Sequence, residues 1–164
     1  MHKSIIKGLG YYVPENVVTN NDLTQMMDTS DEWIRERTGI EERRWVNDNK
    51  LSTSLMGTFA AEKAIKNANI DKNDIDFIIF ATLSPDYYFP GSGVLLQRNL
   101  DIKEVGALDV RNQCSGFVYA LSIADQYIKS GMYKNILVVG SEIHSGALDK
   151  TSRGRSVSVI FGDG

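Results

Sequence analysis

A chain of 164 residues with 42% hydrophobic and 24% charged side chains can form one globular domain with an apolar core. Its formal net charge of -3 offers no excess of basic residues for binding nucleic acid. One cysteine excludes an internal disulfide, no apolar run is long enough to span a membrane, and the first residues lack a signal peptide's apolar segment. We therefore expect a cytoplasmic protein that binds neither nucleic acid nor membrane.

The first 50 residues predict one strand and two short helices. Residues 3–8 have the composition of a short strand. Helices are predicted over residues 22–27 and 32–38, and a dense run of capping residues precedes the second. Residues 41–50 are predicted to be a charged connector, in which Arg43 lies at the solvated surface and is compensated by neighbouring glutamates.

Helices and strands alternate through the rest of the chain. The predicted elements are a helix over 51–69, a strand over 76–83, a helix over 95–100, a strand ending at Val110, a helix opened by Cys114, and strands over 135–140 and 156–161. This alternation is typical of α/β layers. The last connection lacks a helix, so the final strand is expected to be antiparallel to its neighbour. We predict an α/β fold with a mixed, mostly parallel five-stranded sheet covered by helices on both faces.

Cys114 follows a strand and a polar turn and precedes a helix with apolar residues at helical spacing. The first two turns of that helix are nearly free of charge, which predicts that this end is buried. The positive end of a helix dipole stabilises a thiolate, and free amides of the first turn can donate to an oxyanion. The position therefore suits a nucleophile for acyl transfer. The alternative is a buried structural thiol, because free cysteine is among the most buried residue types.

Two other groups of residues are candidates for ligand binding. Trp33 and Arg37 share one helix face at i and i+4. They form either a simple cation–π packing pair or a clamp for a planar ring such as adenine. The loop over residues 84–93 carries three adjacent aromatic side chains, ending at Phe89, which can cap a core, line a pocket or meet a partner subunit.

Four stretches of the sequence together resemble one family. They are TSDEWIRERTGIEER (29–43), the aromatic loop ending in Phe89-Pro90, DVRNQCSGFVYALSIADQYIKSG (109–131) and VSVIFGDG (157–164). In this order they are similar to β-ketoacyl-acyl-carrier-protein synthase III, the condensing enzyme of the thiolase superfamily that starts type II fatty-acid synthesis. The resemblance covers residues 1–164 as one N-terminal thiolase-like domain and leaves the C-terminal half of the family pattern absent. Since the last apolar strand ends in a turn that no strand follows, we expect a piece of a longer chain.

The resemblance implies a thiolase fold with two similar halves, in a homodimer. It implies that Cys114 takes an acyl group from acyl-CoA, which then condenses with malonyl-acyl-carrier-protein. Acyl-CoA enters as a substrate, and no cofactor or metal ion is expected. The substrate-binding residues implied are Thr29, Trp33, Arg37, Phe89, Arg153 and Gly154. Arg153 is expected to stack on the adenine opposite Trp33, and Phe89 to close the acyl pocket across the dimer.

The chain also departs from the family pattern. The His and Asn that assist decarboxylation of malonyl-acyl-carrier-protein have no counterpart here, so we expect the 164-residue chain alone to be inactive. His144 does not match that His and is expected to serve loop packing. Arg155 is a candidate phosphate contact. Three alternatives stay open: an acyltransferase of secondary metabolism, a long-chain condensing enzyme, and a non-catalytic acyl-CoA-binding protein.

Overall fold

The computed structural model describes residues 3–164. Its helices and strands, in chain order, are β1 (Val17–Thr19), α1 (Asn20–Thr24), α2 (Asp31–Thr38), β2 (Glu42–Arg44), α3 (Thr53–Ala68), β3 (Phe77–Ala81), α4 (Ser92–Leu100), β4 (Gly106–Val110), α5 (Gly116–Lys129), β5 (Ile136–Gly140) and α6 (Arg155–Ser158). Short 3₁₀ turns lie at Lys72–Asp74 and Ser152–Gly154. Within these residues, no helix combines the length and the apolar character that crossing a membrane requires.

The described residues divide into two compact units. One contains Ser52–Glu142 with the N-terminal stretch up to Tyr12, and the other contains Val13–Leu51 with Ile143–Gly164. All three parallel strands belong to the first unit, whereas β1 and β2 belong to the second. Each unit therefore has its own sheet and its own apolar core.

In the first unit, β3 is the centre of a three-stranded parallel sheet with the order β4–β3–β5. Ile78 and Phe80 pack against α3 and α4 on one face, and Ile79 and Ala81 pack against α5 on the other. Neither Ile78 nor Ile79 has exposed surface. The predicted parallel sheet with helices on both faces is therefore confirmed, although the described residues place three strands in it instead of five.

The helix α5 lies close to the sheet through small side chains. Its buried residues are Gly116, Ala120 and Ala124, spaced four residues apart. The larger apolar side chains beside this stripe stay partly in solvent, with Phe117 43% and Leu121 37% exposed. The predicted burial of the first turns is therefore wrong for these larger side chains, because the close approach of the helix leaves room only for small residues.

Residues 3–8, predicted as the first strand, are extended chain without a paired strand in the described structure. They are held by helices instead. Ser4 Oγ donates to Asp125 Oδ1 on α5 at 2.8 Å. Gly8 lies so close to α3 that a Cβ there would collide with the backbone oxygen of Ala64. The composition of a strand is present, but a strand assignment also requires a neighbour to share its backbone hydrogen bonds.

The predicted last strand, residues 156–161, is wrong: a short helix, α6, and an irregular tail take its place. Arg43 Nη2 donates to Val159 O at 3.0 Å, and Trp45 Nε1 donates to Phe161 O at 3.0 Å. These side chains satisfy carbonyls that a sheet would otherwise pair. The apolar pattern of the segment instead supplies Val159, which is 1% exposed, to the core of the second unit.

The second unit contains an antiparallel ribbon of β1 and β2, which the sequence did not predict. Its core is formed by Val18, Leu23, Met27, Ile34, Trp45 and Val159. Arg43, expected at the solvated surface, is 6% exposed and donates to Val18 O at 3.2 Å. The alternation of side chains along β2 turns Arg43 inward. Its burial lowers the pKa of the guanidinium, against the smaller raising effect of Glu42.

Candidate active site

Cys114 lies in the turn between the C-terminal end of β4 and the start of α5. Asn112 Nδ2 donates to Ser115 Oγ at 2.9 Å, and Gly116 N donates to Gln113 O at 2.7 Å, so hydrogen bonds close the turn around the cysteine. The cysteine is exposed. In the described residues Cys114 is therefore not buried, whereas the alternative of a structural thiol assumes burial.

The start of α5 carries no side-chain cap. Ser115, its N-cap residue, makes no side-chain hydrogen bond to the helix, and the first turn holds no acidic residue. The amides of a first helical turn have no partner within the helix and carry a partial positive charge. An oxyanion formed beside Cys114 would therefore find donors that no capping side chain occupies.

Two residues at the end of β4 anchor the aromatic loop. Asp109 Oδ2 accepts a hydrogen bond from Ser92 N at 2.7 Å, and its Oδ1 accepts one from Gly93 N at 2.9 Å. These bonds cap α4, which has no side-chain cap from its own N-cap residue. Arg111 Nη2 donates to Tyr88 O at 3.1 Å, with its Cζ 5.0 Å from the Tyr88 ring centroid. The segment that carries Cys114 thus also fixes the aromatic loop.

Phe89 lies within this loop and is 89% exposed. It precedes Pro90 through a cis peptide bond. Because it is so exposed, Phe89 does not cap a core within this chain, which was one of the three interpretations of the aromatic cluster. Its role in an acyl pocket or against a partner subunit stays a prediction.

Asp86 holds the base of the same loop. Its Oδ2 accepts from Ser54 N at 3.0 Å and from Ser92 Oγ at 2.9 Å, and its Oδ1 accepts from Ser54 Oγ at 2.9 Å. Burial raises the pKa of Asp86, but hydrogen bonds from Ser52, Ser54 and Ser92 outweigh it and hold the pKa below its ordinary value. The ionised carboxylate thereby ties the first turns of α3 and α4 to the loop.

In the second unit, two arginine guanidinium groups pack against the ring of Trp33. Arg37 Cζ lies 4.5 Å from the ring centroid, and Arg155 Cζ lies 4.6 Å from it. Arg37 is one turn further along α2, so the predicted pairing with Trp33 is present. No local pattern predicts the contact with Arg155, because that residue comes from a distant segment of the chain.

Arg153, predicted to face Trp33 across an adenine, makes a different contact here. Its Nε pairs with Asp149 Oδ2 at 2.7 Å, and its side chain is 89% exposed. Hydrogen bonds from Thr151 and Arg153 lower the pKa of Asp149 to about 2. Gly154 is required beside this turn, because a Cβ there would collide with the backbone oxygen of Asp149. Asp149 thus organises the segment that carries both predicted residues.

Thr29 precedes α2 and has a buried hydroxyl. Its Oγ1 has no hydrogen-bond partner among the described residues. The preceding residue is held on both sides of its backbone: Asp28 N donates to Ser152 Oγ at 2.9 Å, and Arg155 Nη1 donates to Asp28 O at 2.6 Å. Buried polar groups are rarely left unpaired, so this hydroxyl suits a polar ligand atom.

Sequence reasoning missed the role of Asp163, whose only signal is its place between two glycines. The residue is 5% exposed and accepts hydrogen bonds from Val46 N at 2.7 Å, His144 N at 2.8 Å and Ser145 N at 2.9 Å. The His144 ring packs 4.8 Å from the Phe161 ring, centroid to centroid, in agreement with the packing role expected for it. Over residues 3–164, no group of three or more His, Cys, Asp or Glu side chains is placed to hold a metal ion.

A parallel sheet covered on both faces, with an exposed cysteine where a strand leads into a helix, agrees with a thiolase-like fold, and superposition on solved structures shows that fold. The structure superimposes on 3-oxoacyl-[acyl-carrier-protein] synthase III from Aquifex aeolicus with a TM-score of 0.93 and 48% identity, covering 99% of this chain and 51% of that one. The priming β-ketosynthase of the R1128 polyketide biosynthetic pathway also gives a TM-score of 0.93, at 32% identity, over 99% of this chain and 48% of that one.

Sequence comparison narrows this class to one family. The family model of 3-oxoacyl-[acyl-carrier-protein (ACP)] synthase III matches residues 108–164. The β-ketoacyl-[acyl-carrier-protein] synthase III of Ehrlichia canis is 52% identical over 164 residues, which are 100% of this chain and 50% of that relative. The chain belongs to the β-ketoacyl-[acyl-carrier-protein] synthase III family, and it spans about half the length of the curated relatives it matches.

Proposed function

We propose that the whole protein transfers an acyl group from acyl-CoA to Cys114 and condenses it with malonyl-acyl-carrier-protein, the step that starts fatty-acid synthesis. The observation that carries this proposal is the exposed Cys114 directly before the uncapped start of α5. The names of the synthase III relatives, which match this chain over its whole length, support the same reaction.

The reaction has two steps at this cysteine. First, the Cys114 thiolate attacks the thioester carbonyl, amides at the start of α5 stabilise the oxyanion, and CoA leaves as its thiol after protonation. Second, malonyl-acyl-carrier-protein loses CO₂, and the resulting carbanion attacks the acyl-cysteine. A carbon–carbon bond forms, and the carbon–sulfur bond to Cys114 breaks and regenerates the thiolate. We expect the 164-residue chain alone not to complete the condensation, because the His and Asn of the family pattern are absent from it.

For the nucleotide part of acyl-CoA, we assign Trp33, Arg37 and Arg153, with Thr29 and Gly154 beside them. The ring of Trp33 already stacks with the planar guanidinium of Arg37, and this supports our assignment of the ring as a platform for a planar base. The buried, unpartnered hydroxyl of Thr29 supports a polar ligand next to it. Acyl-CoA is the substrate in this proposal, and the reaction requires neither a cofactor nor a metal ion.

Phe89 is assigned to the acyl pocket of a partner subunit in a homodimer. Its 89% exposure supports a contact outside its own chain, because a solvent-exposed phenylalanine gains free energy by burial. We place the reaction in the cytoplasm, as the single cysteine of these 164 residues suggests a reducing compartment.

The test is labelling with acetyl-CoA followed by peptide mass mapping. We expect acetyl on the peptide that contains Cys114, no label in Cys114→Ala, and β-ketoacyl product when malonyl-acyl-carrier-protein is added to the wild-type protein. Cys114→Ser is the matched variant, since it keeps the size of the side chain and removes the thiolate. Acetyl elsewhere on the protein, or equal labelling of Cys114→Ala, would refute the assignment of the nucleophile.

The similarity to the R1128 priming β-ketosynthase favours a second candidate, a related acyltransferase of secondary metabolism. Rates with acetyl-CoA against longer acyl-CoA, and with malonyl-acyl-carrier-protein against malonyl-CoA, separate the two. If product forms only with longer acyl-CoA, the result favours the acyltransferase of secondary metabolism or a long-chain condensing enzyme. Acyl-CoA binding without any transfer would instead favour a non-catalytic binding protein.

A further inference from the structure

The aromatic loop over residues 84–93 is anchored at both ends by carboxylates. Asp86 accepts hydrogen bonds from Ser54 N at 3.0 Å and from Ser92 Oγ at 2.9 Å at the base of the loop. Asp109 accepts one from Ser92 N at 2.7 Å, where the loop passes into α4. The ends of the loop are therefore tied to α3, α4 and β4, and the position of its tip depends on other contacts.

Arg111 holds the tip of this loop. Its Nη2 donates to Tyr88 O at 3.1 Å, and its Cζ lies 5.0 Å from the centroid of the Tyr88 ring. Burial does not fix this part of the loop, because Tyr88 and Phe89 are 91% and 89% exposed. Over the described residues 3–164, no other hydrogen bond reaches residues 87–90. Without the Arg111 side chain, the tip would therefore be free to move between its two anchored ends.

Arg111 also belongs to the segment that carries the cysteine. It is the first residue after β4 and precedes Cys114 by three positions. The end of the strand is fixed in register, since Val110 pairs with Ala81 of β3 and accepts a hydrogen bond from Thr82 N at 3.2 Å. The backbone of Arg111 therefore has a defined position in the turn of the candidate nucleophile, and its side chain links that turn to the tip of the loop.

The contacts of the Arg111 guanidinium are those of a positioning group. It donates to a neutral carbonyl and faces an aromatic ring, and no carboxylate of the part of the chain that the structure describes forms an ion pair with it. A guanidinium can donate in its plane while its face covers a ring, whereas the ammonium group of lysine has no planar face. The arginine therefore fixes both the backbone and the ring of Tyr88, and this orients the neighbouring Phe89.

We propose that Arg111 is a positioning residue for the selection of the acyl chain. It holds the tip of the aromatic loop in one arrangement, so that Phe89 limits the length of the acyl chain that the pocket of the partner subunit accepts. This inference rests on the proposed function, because it takes Phe89 as a wall of that pocket. In this role Arg111 acts through Tyr88 and Phe89 and not on the reacting atoms.

The test is a competition between two acyl-CoA substrates for Cys114. The whole protein is mixed with an equimolar excess of acetyl-CoA and hexanoyl-CoA, and mass spectrometry measures the ratio of the two acyl adducts on Cys114 at early times. This ratio equals the ratio of the two second-order rate constants of acylation. It does not depend on the fraction of protein that is folded, so a general loss of stability leaves it unchanged.

In Arg111→Ala, we expect the ratio of hexanoyl to acetyl adduct to rise about three- to tenfold, because a hydrogen bond and a cation–π contact that hold the loop are lost. Arg111→Lys should give a ratio between those of the wild type and Arg111→Ala. It keeps the positive charge and a donor for the carbonyl of Tyr88, but it has no planar face for the ring.

Two further variants separate positioning from a general structural role. Arg98→Ala removes an exposed arginine from α4, the helix that follows the loop, and leaves the contacts of Arg111 in place. Its ratio should stay within about twofold of the wild type. Phe89→Ala alone should raise the ratio, and the addition of Arg111→Ala to Phe89→Ala should change it by less than about twofold, because Arg111 acts through Phe89.

A ratio in Arg111→Ala that is lower than in the wild type, or within about twofold of it, would overturn the inference. An equal rise in Arg98→Ala would overturn it as well, and so would a full effect of Arg111→Ala in the Phe89→Ala background. In each of these cases the wild-type protein is still acylated on Cys114, and the proposed acyl transfer stands. If Phe89→Ala alone leaves the ratio unchanged, the assignment of Phe89 to the acyl pocket is wrong, and the inference with it. If the wild-type protein takes no acyl group on Cys114, the proposed function itself is refuted.

Discussion

Asp163 offers a sharp test of what holds the second unit together. Its carboxylate is 5% exposed and accepts hydrogen bonds from the amides of Val46, His144 and Ser145 and, at 2.5 Å, from the hydroxyl of Ser145. The informative changes are Asp163→Ala and Asp163→Asn. The control is Asp101→Asn, because the Asp101 side chain is 78% exposed and its ion pair with Lys72 measures 3.6 Å.

The contacts set the size of the effect. Asp163→Ala leaves three backbone amides without their acceptor, and each buried unsatisfied donor costs about 1–3 kcal/mol, so we expect a loss of about 4 kcal/mol. Asp163→Asn keeps one oxygen for His144 and Ser145 but turns its amide group toward Val46 N. Losing that bond and the charge costs about 2 kcal/mol. Asp101→Asn should cost less than about 0.5 kcal/mol.

Thermal melting of the whole protein measures these losses. One kcal/mol shifts the melting temperature by about 2–4 °C in a domain of this size, so Asp163→Ala should lower it by about 8–16 °C and Asp163→Asn by about 4–8 °C. If Asp163→Ala costs less than about 1 kcal/mol, the buried hydrogen bonds do not stabilise the fold as argued. If Asp101→Asn lowers the free energy of unfolding as much as Asp163→Ala does, the burial of Asp163 does not explain the effect of its removal.

Two further predictions concern the aromatic loop. The pKa of Asp86 is lowered in the folded chain, so its stabilisation is complete above the unfolded pKa of about 3.9 and is lost as the pH falls through the folded value. In urea unfolding, the wild-type protein should exceed Asp86→Asn in stability at neutral pH and lose that advantage on acidification below about pH 4; a pH-independent difference would contradict this. Phe89→Ala should change the stability of the unassociated chain by less than about 0.5 kcal/mol, because the side chain is 89% exposed there, while shifting the ratio of kcat/KM between acetyl-CoA and longer acyl-CoA in the whole protein. An unchanged ratio would leave Phe89 outside the acyl pocket.

Sequence patterns predicted the elements whose signals are local. The apolar run over residues 76–83 became β3, and the run over 135–140 became β5, because a strand buried on both faces needs apolar side chains at successive positions. The pairing of Trp33 with Arg37 was predictable for the same reason, since four residues of helix bring two side chains to one face.

The errors lie where contacts between distant segments decide the structure. Residues 156–161 have the alternation of a strand, yet Arg43 and Trp45 bind the carbonyls that follow α6 and remove them from any sheet. Arg43 itself looked like a surface charge, because its neighbours are charged and the sequence does not show which face of a short ribbon points inward. The contact of Arg155 with Trp33 depends on the same folding of the C-terminal segment.

The position of Cys114 follows from the small residues of α5. Gly116, Ala120 and Ala124 form its buried stripe, and the Cβ that an alanine would carry at position 116 lies 3.7 Å from Ala81 Cβ, at ordinary contact distance. The helix start therefore lies against the C-terminal end of β3, and a side chain larger than alanine at position 116 would push it away. This close approach fixes the turn at the end of the sheet while Cys114 stays exposed. A closely packed helix start beside an exposed cysteine suits the proposed acyl transfer, so the small residues of α5 serve both the packing of the helix and the proposed chemistry.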